Sequence, residues 1–347
     1  MASAPFIQKE LDLIFYSRQA FEQSKALPVE VLNALHKHKL FKLFVPGSLG
    51  GGQKPFPEAL EIIEDCSLLD GNIGWLVNIG SGGSYFAGYY GKEAAQQLFS
   101  PQNAVLAGSG YPGTAHKADG GYTVTGSWNY CSGAGYATFF TASALIDGKM
   151  LAFTFMPDQV EIIPTWNAFG LKATESHSIR VDNAFVPDER VFDLSKPPVS
   201  FTEYTLYSFP FLQFAQLSFA AVVLGLYRAF VNESAYCQRT YNSNAERSNY
   251  IEGLLNEEMI VLEKIKTGFH NVAANAWNAH TSGTLTASLL EAVTATCQNV
   301  SQTASGVSSR ILPYMGMAAV MEDSRLNYIY RNLLTANQHV LLKPFPF

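Results

Sequence analysis

The sequence predicts an α+β chain in three parts: helical, then β-rich, then helical again. Three observations predict this. Up to about residue 100 the apolar positions recur at helical spacing. From about 103 to 195 they fall in short β-branched and aromatic runs between turn signals. After about 201 the helical pattern returns in four long segments with short breaks. The expected domains are residues 1–102, 103–198 and 199–347.

In the first part, "LPVEVLNALHKHKLF" sets Val29, Val31, Leu32, Leu35 and Leu40 close to one stripe. "VPGSLGGGQKPF" breaks the pattern, and "PEALEIIEDCSLLD" resumes it with Leu60, Ile63, Leu68 and Leu69. "GNIGWLVNIGSGGSYFAGYYG" is a small-residue segment suited to close packing or to approach by a ligand, and "KEAAQQLF" gives one more short helix. In the middle part, "NAVLAGSG", "GYTVTGSW", "YATFFTASALI", "MLAFTFM", "VEIIPTW" and "HSIRVDNAFV" read as strands of an antiparallel β domain. Asp147-Gly148 suits a two-residue type I′ hairpin turn. "PDERVFDLSKPPVSF" reads as an exit linker, since Pro197 and Pro198 disfavour regular structure. The last part, with helices near 203–238, 250–280, 285–311 and 320–342, predicts a four-helix bundle.

Composition excludes several function classes. With 48% hydrophobic and 15% charged residues the chain can bury a large core. It carries 23 basic against 29 acidic residues, a formal charge of -6, and no Lys/Arg run able to track phosphates, which argues against nucleic-acid binding. "MASAPFIQKELDLIFYSRQ" lacks a basic segment followed by an unbroken apolar run, so no secretory signal is expected, and the cytoplasm is the expected compartment. Gln213, Gln216, Ser218 and Arg228 interrupt "FLQFAQLSFAAVVLGLYRAF", which therefore reads as a buried bundle helix rather than a membrane span. Cys66, Cys131, Cys237 and Cys297 lie far apart without a CxxC pair and are expected to be reduced thiols. No metal site is expected, because His36 and His38, two apart on a helix, point away from each other. "GSGGS" and "GSLGGG" lack the following Lys-Ser/Thr of a P-loop and a βαβ context.

Four segments, in order, go further: "LFKLFVPGSLGGG" (40–52), "DGGYTVTGSWNYCSGA" (119–134), "WNAFGLKATESHSIRVDNAFVPDERVF" (166–192) and "RLNYIYRNLLTANQH" (325–339). Together they resemble the acyl-CoA dehydrogenase superfamily, and within it the flavin-dependent monooxygenase branch of two-component aromatic hydroxylases. The resemblance implies an N-terminal helical domain, a middle antiparallel β-barrel domain and a C-terminal four-helix bundle. It also implies a homo-oligomer, tetramer or dimer, with FAD or FMN between the β domain and the bundle.

For the site, the resemblance lays "NYCSG" along the flavin ring. Tyr130 and Ser132 fall where an aromatic and a hydroxyl residue contact the isoalloxazine, and Cys131 and Gly133 belong to the same segment. Without the resemblance, the same residues read as an alternating β-strand in which Ser132 starts a turn at Gly133. Ser109 of "LAGSG" matches a strand position that contacts flavin in relatives, or is an ordinary strand-end serine. Thr174 and Ser176 of "GLKATES" bond flavin or their own backbone. Trp166 is core or cofactor wall. His339 matches a histidine near flavin and substrate in the monooxygenases, where an imidazole could deprotonate a phenol or hydrogen-bond a peroxide on the flavin. The plainer reading is a helix-terminal histidine satisfied by carbonyls.

Departures from the pattern bear on the chemistry. The glutamate that α,β-dehydrogenation requires has no counterpart in "VLLKPFPF", nor near Ala215 and Gln216. Only Arg239 or Arg247 could stand for the Arg-x-x-Phe-Gly segment that helps hold the flavin diphosphate. "YMGMAAV" keeps only Gly316 of "GGxGY", and "NIGSGGSYF" lacks the monooxygenases' second histidine. Three readings follow. In the first, the chain is a monooxygenase component that takes reduced flavin from a separate reductase and uses O2 on a small aromatic or apolar substrate, with Ser132 on the flavin and His339 as base or peroxide partner. The others are an acyl-CoA dehydrogenase-like enzyme with a displaced base and a non-catalytic relative that has lost flavin binding.

Overall fold

The computed structural model describes residues 5–241 and 244–345. The first four residues, part of the break at "YNSNAERSN" and the last two residues of "VLLKPFPF" lie outside the described residues. The first part holds α1 (Gln8–Tyr16), α2 (Arg18–Ser24), α3 (Val29–Lys37), α4 (Phe56–Leu69), α5 (Gly71–Gly83) and α6 (Lys92–Phe99).

The small-residue segment is a helix, α5, although glycine costs a helix about 1 kcal/mol per residue relative to alanine. Asp70 starts it: an extended residue (φ -156°) whose carboxylate accepts the backbone N–H of Asn72 at 2.9 Å. Close packing explains the glycines. A Cβ on Gly74 would lie 1.9 Å from Ser67 Oγ of α4, so glycine is what lets the two helices touch. A neighbouring stripe is looser. Trp75, Ile79, Gly82 and Phe86 are only half-buried, and nothing lies within 4 Å of a Cβ placed on Gly82. The packing reading of this segment is thus met by the face that carries Gly74.

The middle part forms a seven-stranded sheet from β1 (Leu106–Ala118), β2 (Gly121–Cys131), β3 (Phe139–Ile146), β4 (Lys149–Phe155), β5 (Glu161–Ile163), β6 (His177–Pro187) and β7 (Val191–Phe192). Asp147 and Gly148 join β3 to β4 with φ 49° and 77°, the left-handed pair a type I′ hairpin needs. The expectation of a closed antiparallel barrel is corrected in two respects. The strand order is β5-β6-β2-β1-β3-β4-β7, with β5 and β7 at the edges, and β1 pairs with β3 in parallel. The cause is the connection after β2: a short turn at Ala134–Tyr136 carries the chain past β1, so β3 comes down on its far side. Trp128, Phe140, Phe153, Phe155 and Ile179 fill the sheet's own core, where Trp128 Nε1 donates to Ser143 O at 3.0 Å.

The last part holds α7 (Phe211–Tyr241), α8 (Ala245–Thr281), α9 (Ala287–Arg310) and α10 (Arg325–Ala336). Helix α7 is long and apolar enough to cross a membrane, yet it is buried almost throughout, enclosed by α4, α5, α8, α9 and α10. Two of its interrupting polar residues are held by other elements. Gln216 accepts from Thr294 Oγ1 at 2.8 Å and donates to Leu341 O, and Arg228 binds Glu64 at 2.6 Å. Side-chain caps begin the next two helices, with Asn244 accepting from Arg247 N–H and Thr286 from Leu289 N–H. All four cysteines are free and buried.

Candidate functional site

Strand β2 ends in a bulge against β6, between Trp128 and Cys131. Tyr130 takes φ 63° there, and the extra residue breaks the alternation of sides. Cys131 therefore stays in the sheet core, where burial pushes its thiol up to about 12, while Tyr130 is turned out and 73% exposed. Its ring meets Trp166 edge-on at 6.2 Å. Ser132, one residue on, is 3% exposed.

The Ser132 hydroxyl is one link in a buried chain. Trp75 Nε1 of α5 donates to Ser132 Oγ at 2.9 Å. Ser132 Oγ lies 2.7 Å from Ser176 Oγ, and Ser176 Oγ lies 2.7 Å from Thr174 Oγ1. Thr174 Oγ1 donates to Leu171 O at 2.8 Å, a carbonyl that also accepts Trp166 Nε1–H at 2.9 Å. The structure thus brings together Ser132, Thr174, Ser176 and Trp166, with Gly133 held by its N–H on Thr174 O at 2.8 Å. Ser109 lies elsewhere in the sheet, half-buried in β1 opposite Ala142. Glu175, between the two hydroxyl residues, has φ 45° and a carboxyl raised by burial; Gly135 makes room for it, since a Cβ there would lie 1.9 Å from Glu175 Oε1.

His339 also borders Trp75. Its imidazole stacks on Phe219 of α7 with ring centroids 3.6 Å apart and lies 6.0 Å from the Trp75 ring, which itself packs on Phe219 at 5.4 Å. Helix α10 stops at Ala336, so His339 hangs from the turn beyond it. Its Nδ1 is buried without a hydrogen-bond partner, so the carbonyl-satisfied reading of this histidine does not hold at that atom. Burial depresses its pKa to about 4. The sign for stability follows. The unfolded chain, with an ordinary histidine pKa near 6.5, takes up the proton first as pH falls. The folded state therefore keeps this contribution in full above about pH 6.5 and loses it progressively down to about 4, by up to about 3 kcal/mol. A His339→Leu variant is expected to show a flatter dependence of its urea midpoint between pH 7.5 and 4.5 than the wild type; an equally steep one would refute the assignment.

The segment carrying Trp166, Thr174 and Ser176 is clamped from behind. Asn332 Oδ1 of α10 accepts Leu171 N–H at 2.7 Å, and Asn72 Oδ1 of α5 accepts Ala173 N–H at 2.9 Å. Asn72 is itself held by Asp70 and by Tyr328, whose hydroxyl donates to Asp70 Oδ2 at 2.8 Å. Gly170 passes so close to α10 that a Cβ would lie 2.1 Å from Arg331 O. Trp75, Phe219, Asn72 and Asn332 escaped the sequence reading. The one signal available for Trp75 and Asn72 was their place in the small-residue segment.

Arg247 and Gly316, two separate substitutes in the sequence, come together: the Arg247 guanidinium lies 3.6 Å from a Cβ placed on Gly316 (φ 59°). Both Arg247 and Arg239 are exposed. Two surface grooves of about 470 and 430 Å³, on α6 and between α7 and α9, are lined by none of the residues of the Trp75 cluster. Among the described residues no group of three or more His, Cys, Asp or Glu side chains is placed to hold a metal ion.

No family model matches the chain. It is 28% identical over 235 residues to the pigment production hydroxylase of a Rhodococcus species, covering 64% of this chain and 60% of that enzyme. It is 29% identical over 188 residues to the oxygenase component of the FADH2-dependent resorcinol hydroxylase of a Rhizobium species, covering 52% of this chain and 46% of that one. The aligned part thus spans about half to three-fifths of the length of these relatives. The structure of XiaF from a Streptomyces species, in complex with FADH2 and glycerol, superimposes with a TM-score of 0.86 at 21% identity over 96% of this chain and 89% of that one. The chain has the acyl-CoA dehydrogenase-like fold of flavin-dependent monooxygenases, and its sequence resembles their oxygenase components, as the four segments imply.

Proposed function

We propose that this chain is the oxygenase component of a two-component flavin-dependent monooxygenase, taking reduced flavin from a separate reductase and hydroxylating a small aromatic substrate with O2. One observation carries the reading: the Ser132 hydroxyl and His339, with its orphaned, buried Nδ1, both border the Trp75 indole, at the seam between the end of β2, α5 and α7. The fold and the relatives' named activities support it.

The residues fit a flavin. Trp75 and Phe219 offer aromatic faces, Ser132 a hydroxyl, and the half-buried stripe Trp75, Ile79, Gly82 and Phe86 an apolar wall for a flat ligand. Bound reduced flavin supplies the electrons that activate O2. The chain's own part is then to orient the ring through Ser132, to exclude water with Trp75 and Phe219, and to move a proton at His339 Nδ1. That imidazole is neutral at pH 7 and so can accept the proton of a phenol or a ring N–H. Arg247, beside Gly316, or Arg239 would be the cation for a flavin phosphate.

The rest of the reading rests on sequence: a homo-oligomer, domains divided near 102 and 198, and a cytoplasmic place. The exposed apolar side chains Tyr250, Tyr314, Met317 and Val320 support self-association.

The test is a fluorescence titration of the protein with FMN and FAD, oxidised and then anaerobically reduced. Tight binding of a reduced flavin is the expected result. Absence of binding in both states would overturn the reading in favour of a relative without flavin, and tight binding of oxidised FAD alone would return a dehydrogenase.

A further inference from the structure

The turn that carries His339 is held at both ends and in its middle. Asn337 Nδ2 donates to Ser301 O of α9 at 2.9 Å, and Lys343 Nζ donates to Ser301 Oγ at 3.2 Å, so the segment leaves and returns to one residue of α9. Its middle is fixed from α7. Gln216 Nε2 donates to Leu341 O at 3.2 Å, just beyond the histidine. Gln216 is fully buried and stands one turn before Phe219, the ring on which His339 stacks at 3.6 Å. Residues three apart share a helix face, so one face of α7 grips both the imidazole and the backbone that bears it. The Gln216 amide has a single orientation. Leu341 O can only accept, so the amide NH2 faces it and Oε1 faces Thr294 of α9. Oε1 also can only accept, so Thr294 Oγ1 donates to it, at 2.8 Å. A flipped amide would set two acceptors, Oε1 and Leu341 O, against each other away from water.

We infer that Gln216 is a positioning residue for His339, keyed by Thr294: its amide fixes the turn at 339–342 and so keeps the imidazole on Phe219, beside Trp75, with Nδ1 buried. The inference rests on the proposed role of His339 and adds to it what holds that nitrogen in place. Gln216 acts through the turn, and Thr294 acts through Gln216. The clamp has a signature that packing alone lacks. Burial is what depresses the His339 pKa to about 4, and the rings facing it, Phe219 and Trp75, carry no charge. Lys343, the charged side chain of the same turn, is engaged at Ser301. A turn released from Gln216 lets water reach the ring, and the pKa then rises toward the ordinary histidine value near 6.5.

The test compares the wild type with Gln216→Met, Thr294→Val and Thr294→Ser. Thr294 is only half-buried, so its variants keep the test open if Gln216→Met fails to fold. NMR of histidine-labelled, flavin-free protein between about pH 4.5 and 7.5, with His339→Leu to assign the resonance, reads the pKa of the ring. The wild-type ring is expected to stay neutral over most of that range, the rings of Gln216→Met and Thr294→Val to titrate within it, and Thr294→Ser, which keeps the hydroxyl, to follow the wild type. Single turnovers preloaded with reduced flavin, with phenol and indole as probes, are expected to give about tenfold less product in the first two variants at unchanged affinity for reduced FMN and FAD. A merely structural role would lower the urea midpoint and leave the His339 pKa at its wild-type value, and that result overturns the inference while the flavin reading stands. Loss of product in step with loss of flavin affinity overturns it as well, by placing Gln216 on the flavin. A wild type that binds neither flavin in either redox state overturns the flavin reading itself, and the pKa alone then decides whether the clamp exists.

Discussion

Replacing His339 by alanine is expected to lower product formation by about 100-fold or more, with reduced flavin still bound to within a few-fold. The expectation comes from the geometry. His339 is the ionisable side chain stacked in the aromatic cluster, on Phe219 at 3.6 Å, and its Nδ1 is buried with no protein partner. A buried nitrogen left unpaired costs on the order of 1–3 kcal/mol, a cost that a proton-bearing substrate atom would offset. Because burial holds the imidazole neutral, it enters the reaction able to accept a proton. Single-turnover mixing of the enzyme, preloaded with reduced flavin, against oxygen and an aromatic substrate measures product per flavin directly. His339→Phe separates the proton from the packing: it keeps a ring for Phe219 but has no nitrogen, and should be as inactive as the alanine variant. Product formation retained in either variant would remove His339 from the chemistry.

The largest loss of stability is expected far from the site. Glu258 of α8 has a side chain only 3% exposed, and Arg310 of α9 holds it with two bonds of 2.7 Å each. Tyr227 of α7 gives its hydroxyl hydrogen to the same carboxylate, so three helices meet on one buried charge. Gly306 makes this possible, because a Cβ there would lie 2.1 Å from Arg310 Nη1. Arg310→Ala leaves the carboxylate buried without its counter-ion, with the Tyr227 hydroxyl as its remaining bond; losing the ion partner of a buried charge typically costs about 3–5 kcal/mol, and since the guanidinium is 41% exposed, about 3 is expected. Urea unfolding should show it as a lower midpoint with an unchanged slope. Adding Glu258→Gln should recover part of the loss by removing the charge. A double variant no more stable than Arg310→Ala would place the effect in lost packing instead.

Much of the architecture was legible because its signals are local. Helical spacing in α3, α4 and α7 and the Asp147-Gly148 turn each depend on residues within one or two turns of one another. The buried reading of α7 held for the same reason: its Gln and Arg interruptions marked it as a helix with polar partners inside a protein. The helix at 71–83 was not legible, since its glycines lower helix propensity and only α4, through Ser67, shows why they are there. The open, mixed sheet was not legible either. A strand's side-chain pattern is the same whichever neighbour it pairs with, so nothing in "FFTASALI" announces that it runs parallel to β1.

The candidate site divides in the same way. Ser132, Thr174, Ser176 and His339 were marked by resemblance; the structure links the three hydroxyls in one chain that begins at Trp75 and sets His339 beside the same indole. That Tyr130 points outward depends on a bulge in the pairing of β2 with β6, which strand periodicity does not encode. The sequence by itself determined the order of elements, the turn chemistry and the kinds of side chain available to the site. Only the tertiary structure decided which of them touch and which way a hydroxyl donates. The partners of Ser132 lie 57 residues before it and 44 after it, and a hydrogen bond's direction is set by both its ends.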